Sequence, residues 1–203
     1  MVLTAQAVDR VKPLVFVVGL YPLLRWFYLG WYDGFGVNPT EFLTRSSGIW
    51  TLVCLIVTLS LSPIKQWLAA PALIRLRRMC GLFAFFYASL HTLAWAWWEQ
   101  NLVLKDMALD VWQRPFVSVG MAAFLVMLAM ALTSSQSAMR RLGRWWKALH
   151  RWVYLVAVLS IVHFWLHKTG KNDFYEVTVY GLIVAALLVW RIWNRFKPET
   201  KKA

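Results

Sequence analysis

RRLGRWWKALHRWVYLVAVLSIVHFWLH, residues Arg140 to His167, opens on a basic foot of Arg140, Arg141, Arg144 and Lys147 and then runs apolar for most of a bilayer's thickness. Three of the protein's four histidines, His150, His163 and His167, lie in it. Imidazole within a hydrocarbon layer needs a partner, and a metal or haem iron is one that suits it. The stretch therefore reads as a membrane helix that carries ligands, and the rest of the chain can be set around it.

Of the 203 residues, 60% are hydrophobic and 15% charged, and the mean hydropathy is +0.53. Soluble domains run at about 45–50% apolar, so the composition is that of an integral membrane protein. The net charge of +13 would suit a nucleic-acid binder in a soluble protein. Here the cations fall in short clusters between apolar runs, where they act as topology signals, and nucleic acid is excluded as a partner. Cys54 and Cys80 both sit in apolar stretches without a CxxC or CxxCH pattern. They read as small buried hydrophobes, which excludes covalent c-type haem attachment and gives no support for an iron–sulfur cluster. The first apolar run is long, rich in Trp and Tyr and without a small-x-small cleavage site, so it reads as a retained span rather than a signal peptide.

About 20 apolar residues cross a bilayer, and six such windows can be placed, at about 11–31, 48–67, 79–98, 115–134, 147–167 and 175–193. The expected fold is all-α: one transmembrane domain built as a bundle of six helices. Residues 32–47 carry the Gly, Pro, Asn and Asp of a loop, residues 99–114 form a polar connection, and the tail from Asn194 is basic and frayed. Arg25 lies inside the first window, either as a functional charge or as a cation reaching for water or lipid phosphate. If the N-terminus is cytoplasmic, sixteen of the 22 basic residues fall on the inner side, Lys197, Lys201 and Lys202 of the tail among them, while the outer loops keep Arg45, Lys105, Arg114, Lys168 and Lys171. The positive-inside rule then places both termini in the cytoplasm. The sequence shows no internal repeat, and no GxGxxG or Walker pattern that would mark a nucleotide-binding domain.

Orientation converts position into depth. His91 follows the inner start of the third span by 12 residues, roughly 18 Å at ~1.5 Å per residue. His163 lies 13 residues beyond His150, roughly 20 Å from the inner face. His91 and His163 thus share a level in the outer half, on two helices running the same way, and such a pair can hold a haem iron from both sides. His150 sits near the cytoplasmic face, either beside an inner redox centre or against lipid phosphate, and His167 reads as a wet, interfacial residue. On an ideal helix His150 and His163 would point about 140° apart. Both can serve ligands from one helix only if it is distorted or the ligands approach from different sides.

Several of these residues form a pattern. Arg77-Arg78 with Gly81, Tyr87 and Leu90-His91 lie in the third span, and Arg114-Pro115-Phe116 with Gly120 opens the fourth. Thr133-Ser134, Arg140-Arg141-Leu142-Gly143, Trp146, Leu149-His150, Tyr154 and His163 surround the fifth. Over nearly the whole chain this resembles the ferric-reductase-like transmembrane family, which includes NADPH oxidases. Within it, the closest likeness is to the haem-binding membrane subunits of bacterial periplasmic methionine sulfoxide reductase systems.

The resemblance implies a multi-pass protein of the bacterial inner membrane that binds haem b. It also implies FMN and quinone as further cofactors, and His91, His150 and His163 as the functional histidines. Electrons would come from the quinone pool or a cytoplasmic flavin reductase and pass to a periplasmic molybdopterin-dependent methionine sulfoxide reductase, so that the chain is an electron-transfer subunit rather than the catalytic one. NADPH oxidases carry two histidines on each of two helices; a fourth is absent here, which leaves the ligand set of a second haem open. Two other readings stand beside this one: a cytochrome subunit serving a different periplasmic oxidoreductase, and a small non-redox transporter whose Arg25 and histidines line a polar path.

Overall fold

The structure, a computed structural model, describes residues 4–170 and 172–196. Lys171 and the basic tail with Lys197, Lys201 and Lys202 lie outside the described residues. Helices account for the fold: α1 (Ala5–Trp31), α2 (Pro39–Trp67), α3 (Arg77–Ala94), α4 (Leu104–Gln113), α5 (Pro115–Leu132), α6 (Gln136–Leu142), α7 (Arg144–His150), α8 (Val153–Thr169) and α9 (Tyr175–Phe196). A 3-10 segment (Pro71–Leu76) leads into α3 and a π-helical turn (Trp95–Glu99) ends it. No strand occurs among the described residues.

The starts of these helices are written in the sequence. Thr4 caps α1 by accepting from the Ala7 amide, and Asn38 caps α2 by accepting from the Glu41 amide at 3.1 Å. Proline occupies the first turn of α2 and of α5, where its missing N–H costs nothing. Six helical segments are long and apolar enough to cross a bilayer: Ala5–Trp31, Pro39–Trp67, Pro71–Glu99, Pro115–Leu132, Arg144–Thr169 and Tyr175–Phe196. Leu14, Val17, Val18, Leu24 and Phe27 of α1 are exposed, as a lipid-facing surface requires. The protein is a multi-pass membrane bundle.

Its core is formed by four helices. Leu52, Leu55 and Leu59 of α2, Ala84 and Ala88 of α3, Ala123 and Met127 of α5, and Val153, Val156 and Ala157 of α8 make one buried cluster, which Val184 of α9 joins from the side. The small residues on α3 and α8 let backbones approach closely, which is how helices associate where lipid removes the hydrophobic driving force. α1 packs on this group through α3, with the Tyr87 hydroxyl donating to the Gly19 carbonyl at 2.6 Å.

The start of α1 and the end of α9 lie at one end of the bundle. There Asp9 of α1 pairs with Arg75 at 2.7 Å, and the rings of Trp67 and Trp190 meet edge-on. At the other end Arg45 of α2 pairs with Glu176 of α9 at 2.6 Å, and Lys168 of α8 reaches Asp173 at 2.5 Å.

Several expectations change. Part of the loop expected over residues 32–47 is helix, because the Asn38-Pro39 cap starts α2 nine residues earlier than its apolar window does. The polar connection at residues 99–114 contains α4, a helix without buried residues. The fifth span is not continuous: Gly143, with φ +49°, separates α6 from α7, and Arg151-Trp152 separates α7 from α8. A distortion, one of the two conditions set for His150 and His163 to serve ligands from one span, is present at this second break. Arg25 stacks over Phe42 with its guanidinium carbon 5.6 Å from the ring centroid, two turns from the end of α1, as a cation reaching for the interface does.

Candidate functional site

His91 on α3 and His163 on α8, read from the sequence as lying at one depth, come together in the bundle. Their ring centroids are 6.0 Å apart and the ring planes stand at 84°. An imidazole nitrogen sits about 2 Å from a bound transition metal, so two rings on opposite sides of one iron have centroids roughly 6 Å apart. Each ring is held from behind. His91 Nδ1 lies 2.8 Å from the Thr44 carbonyl oxygen of α2, and His163 Nδ1 lies 2.6 Å from the Phe116 carbonyl oxygen of α5. A carbonyl can only accept, so Nδ1 carries the hydrogen in both rings and Nε2 keeps its lone pair. That is the tautomer a metal-binding histidine needs, with the outer hydrogen bond fixing the ring and raising its basicity.

The two rings border a cavity of about 380 Å³ among α2, α3, α5 and α8. Its walls are Leu52, Ala88, Ala123, Phe124 and Met127; Thr40, Glu41 and Arg45 of α2, its cap Asn38, and Glu99 stand at its polar rim. The size and the apolar wall with few polar groups are those of a cofactor site. Among the described residues no three His, Cys, Asp or Glu side chains converge on a metal position. The two imidazole nitrogens alone would not complete a metal site, whereas a haem, which brings its own nitrogen donors, would need only such a pair from the chain. On donor set, tautomer, spacing and wall chemistry, the site fits haem.

The remaining histidines divide. His167, read from the sequence as a wet interfacial residue, lines this same cavity, one turn beyond His163, with its ring centroid 5.5 Å from that of Phe116. His167 stands four residues after His163 on the same face of α8, so the rotation that turns His163 into the cavity brings His167 with it. His150 lies apart: it is not among the residues of the cavity wall, stacks on Trp146 at 4.1 Å, and bonds the Trp146 carbonyl through Nδ1 at 3.1 Å. The structure thus joins His91, His163 and His167 and separates His150 from them.

Two acidic residues of the polar connection, Asp110 and Glu99, are engaged within the chain. Asp110 of α4 accepts from Trp95 Nε1 at 2.8 Å and from Gln100 Nε2 at 3.0 Å, and Arg114 bridges Asp110 and Glu99. The Asp110 hydrogen bond in first place holds the Arg114 guanidinium above its usual range. This network fixes the π-helical turn that puts Trp95, Trp98 and Glu99 at the cavity.

Residues 47–161 match the family model of the ferric reductase like transmembrane component. The match opens beside Gly48, includes His91 and His150, and ends two residues before His163. A protein from Bordetella pertussis (strain Tohama I) is 58% identical over 196 residues, covering 95% of each chain. One from Ralstonia nicotianae is 45% identical over 192 residues, covering 94% of this chain and 88% of that one. A more distant relative from Xanthomonas euvesicatoria is 37% identical over 206 residues, covering 98% and 94%. All three carry the name protein-methionine-sulfoxide reductase heme-binding subunit MsrQ. With full-length identity at this level and the family match over most of the core, the chain belongs to the ferric-reductase-like transmembrane family and, within it, to the MsrQ group.

Proposed function

We propose that this chain is the haem-binding membrane subunit of a methionine sulfoxide reductase system. In this reading it passes electrons across the inner membrane to a periplasmic molybdopterin-dependent reductase. The pairing of His91 with His163 across the apolar cavity is the observation that carries it. The names of the relatives point to haem and to the reductase system. Haem b supplies a one-electron iron couple, and the residues of the chain set the conditions under which it works. His91 and His163 would hold the haem between them, and a haem held by two imidazoles would supply electron transfer rather than oxygen binding. Leu52, Ala123, Phe124 and Met127 keep water from the ring, which reduces the reorganisation that accompanies a change of charge.

The direction of flow follows from the distribution of charge. The end where α1 starts and α9 ends carries Arg77, Arg78, Arg140, Arg141, Arg144 and Arg151, and by the positive-inside rule it faces the cytoplasm. His163 is six residues from the end of α8, about 9 Å, so the site lies close to the periplasmic surface and within reach of a docked acceptor. His150, near the basic end, stands beside an inner redox centre. The donor is the quinone pool or a flavin carrier, with FMN as the flavin.

An optical spectrum of the purified protein tests this. A Soret band and a sharp reduced alpha band are expected, both lost in His91→Ala and in His163→Ala and kept in His167→Ala. A colourless wild-type protein, expressed with ample haem, would overturn the proposal.

A further inference from the structure

The two ligand helices are held in the same way, down to the residue spacing. His91 and the Thr44 carbonyl are 47 residues apart, and so are His163 and the Phe116 carbonyl. In each case a glycine follows the accepting carbonyl by four residues, Gly48 after Thr44 and Gly120 after Phe116. Those glycines face the imidazoles. A Cβ on Gly48 would lie 3.1 Å from both Nδ1 and Cε1 of His91. One on Gly120 would lie 2.7 Å from Nδ1 and 2.8 Å from Cε1 of His163, closer than atoms can approach.

From this geometry we propose that Gly48 and Gly120 are positioning residues, and that the histidine clamp is made of two copies of one device. Each copy is a helix pair, α2 with α3 and α5 with α8. In each, a glycine opens the wall of the first helix so that the imidazole of the second can reach a carbonyl one turn back. The carbonyl belongs to an intact helix and has a second lone pair to offer, so the helix is not broken to bind the ring. A side chain at the glycine would push the imidazole off the carbonyl, and the ring would lose both its tautomer and its aim. The sequence itself shows no repeat: at the common offset of the two helix pairs the identities are Ser46/Ser118, Gly48/Gly120, Ser62/Ser134 and His91/His163 alone. Of these, the glycine and histidine pairs belong to the clamp, whose carbonyls come from unlike residues, Thr44 and Phe116.

The inference rests on the haem reading above, and its test separates the two. Purified Gly120→Ala, Gly48→Ala and, as control, Gly181→Ala are compared with wild type by haem content, ferric spin state and midpoint potential. In the control the added Cβ meets only Ile161 at 3.6 Å, an ordinary contact. Gly120→Ala is expected to weaken haem retention by ~10–100-fold, the usual cost of losing a ligand's outer hydrogen bond, and to turn the remaining haem high-spin as His163 detaches. Gly48→Ala, where a few tenths of an ångström suffice, is expected to stay low-spin with a shifted potential. Gly181→Ala is expected to match wild type in all three. If Gly120→Ala does not accumulate as folded protein, Gly48→Ala decides alone: a potential and spectrum identical to wild type overturn the proposal. Wild-type protein without haem would instead sink the haem reading itself.

Discussion

At the scale of single residues, burial and partners decide what each polar group does. Lys168 is 2% exposed at the end of α8, and a buried ammonium is tolerable only when paired. It has Asp173 at 2.5 Å and Glu176 at 3.2 Å. The hydrogen bond from Lys168 in first place holds the Asp173 carboxyl below its ordinary 3.8. A lowered folded value stabilises the protein above the unfolded value, and that contribution is lost as pH falls through the folded one. The melting temperature in detergent should therefore be higher for wild type than for Asp173→Asn above pH 3.8, with the difference closing at more acidic pH. A difference that is independent of pH would show that the pair contributes nothing through ionisation.

At the scale of elements, Pro63 shows how a defect in one helix becomes a contact with another. Within α2 the Leu59 carbonyl would accept from the amide of residue 63, and proline has none. Leu59 is fully buried, and an orphan carbonyl there is costly. Arg191 of α9 donates to it at 2.5 Å and lies over the Tyr154 ring, joining α9 to both halves of the core. Arg191→Met is expected to destabilise the folded protein by about 1.5–3 kcal/mol, the value of a hydrogen bond from a charged donor. Pro63→Ala returns an amide to the helix, so the double variant should recover part of that loss, a coupling readable in a double-mutant cycle. Strictly additive effects would show that Arg191 serves some other purpose. The break between α7 and α8 belongs to this scale as well, since it frees His150 from the rotation that His163 imposes on the rest of the span.

At the scale of the whole molecule, charge and lipid set the frame. A C-terminal alkaline phosphatase fusion should be inactive and a fluorescent-protein fusion bright if both termini are cytoplasmic. An active phosphatase at that position would reverse the proposed direction of electron flow. The reversal would leave the histidine clamp intact, because the clamp depends on helix packing and the orientation on the basic loops. The cavity lies among the four central helices, with α1 and α9 outside them and facing lipid along most of their length. α5 and α8 carry both surfaces, cavity residues on one face and exposed apolar residues such as Leu125, Leu155 and Val158 on another.

The sequence by itself determined the class of protein, the six spans and the shared level of His91 and His163. Each is a sum over one dimension: apolar length against bilayer thickness, and rise per residue against depth. Rotation and long-range pairing were beyond it. That His91 and His163 face one cavity, that Asp110 and Glu99 are tied to Arg114 and, for Asp110, Trp95, and that Arg191 completes a carbonyl freed by Pro63 all depend on which faces meet. The matching of the two helix pairs was equally hidden, because a likeness confined to a handful of positions leaves almost no trace in a lipid-facing composition where most apolar residues are interchangeable. Only the packed bundle brings Thr44 to His91 and Phe116 to His163, since a hydrogen bond between groups 47 residues apart is decided by tertiary contact and by nothing local.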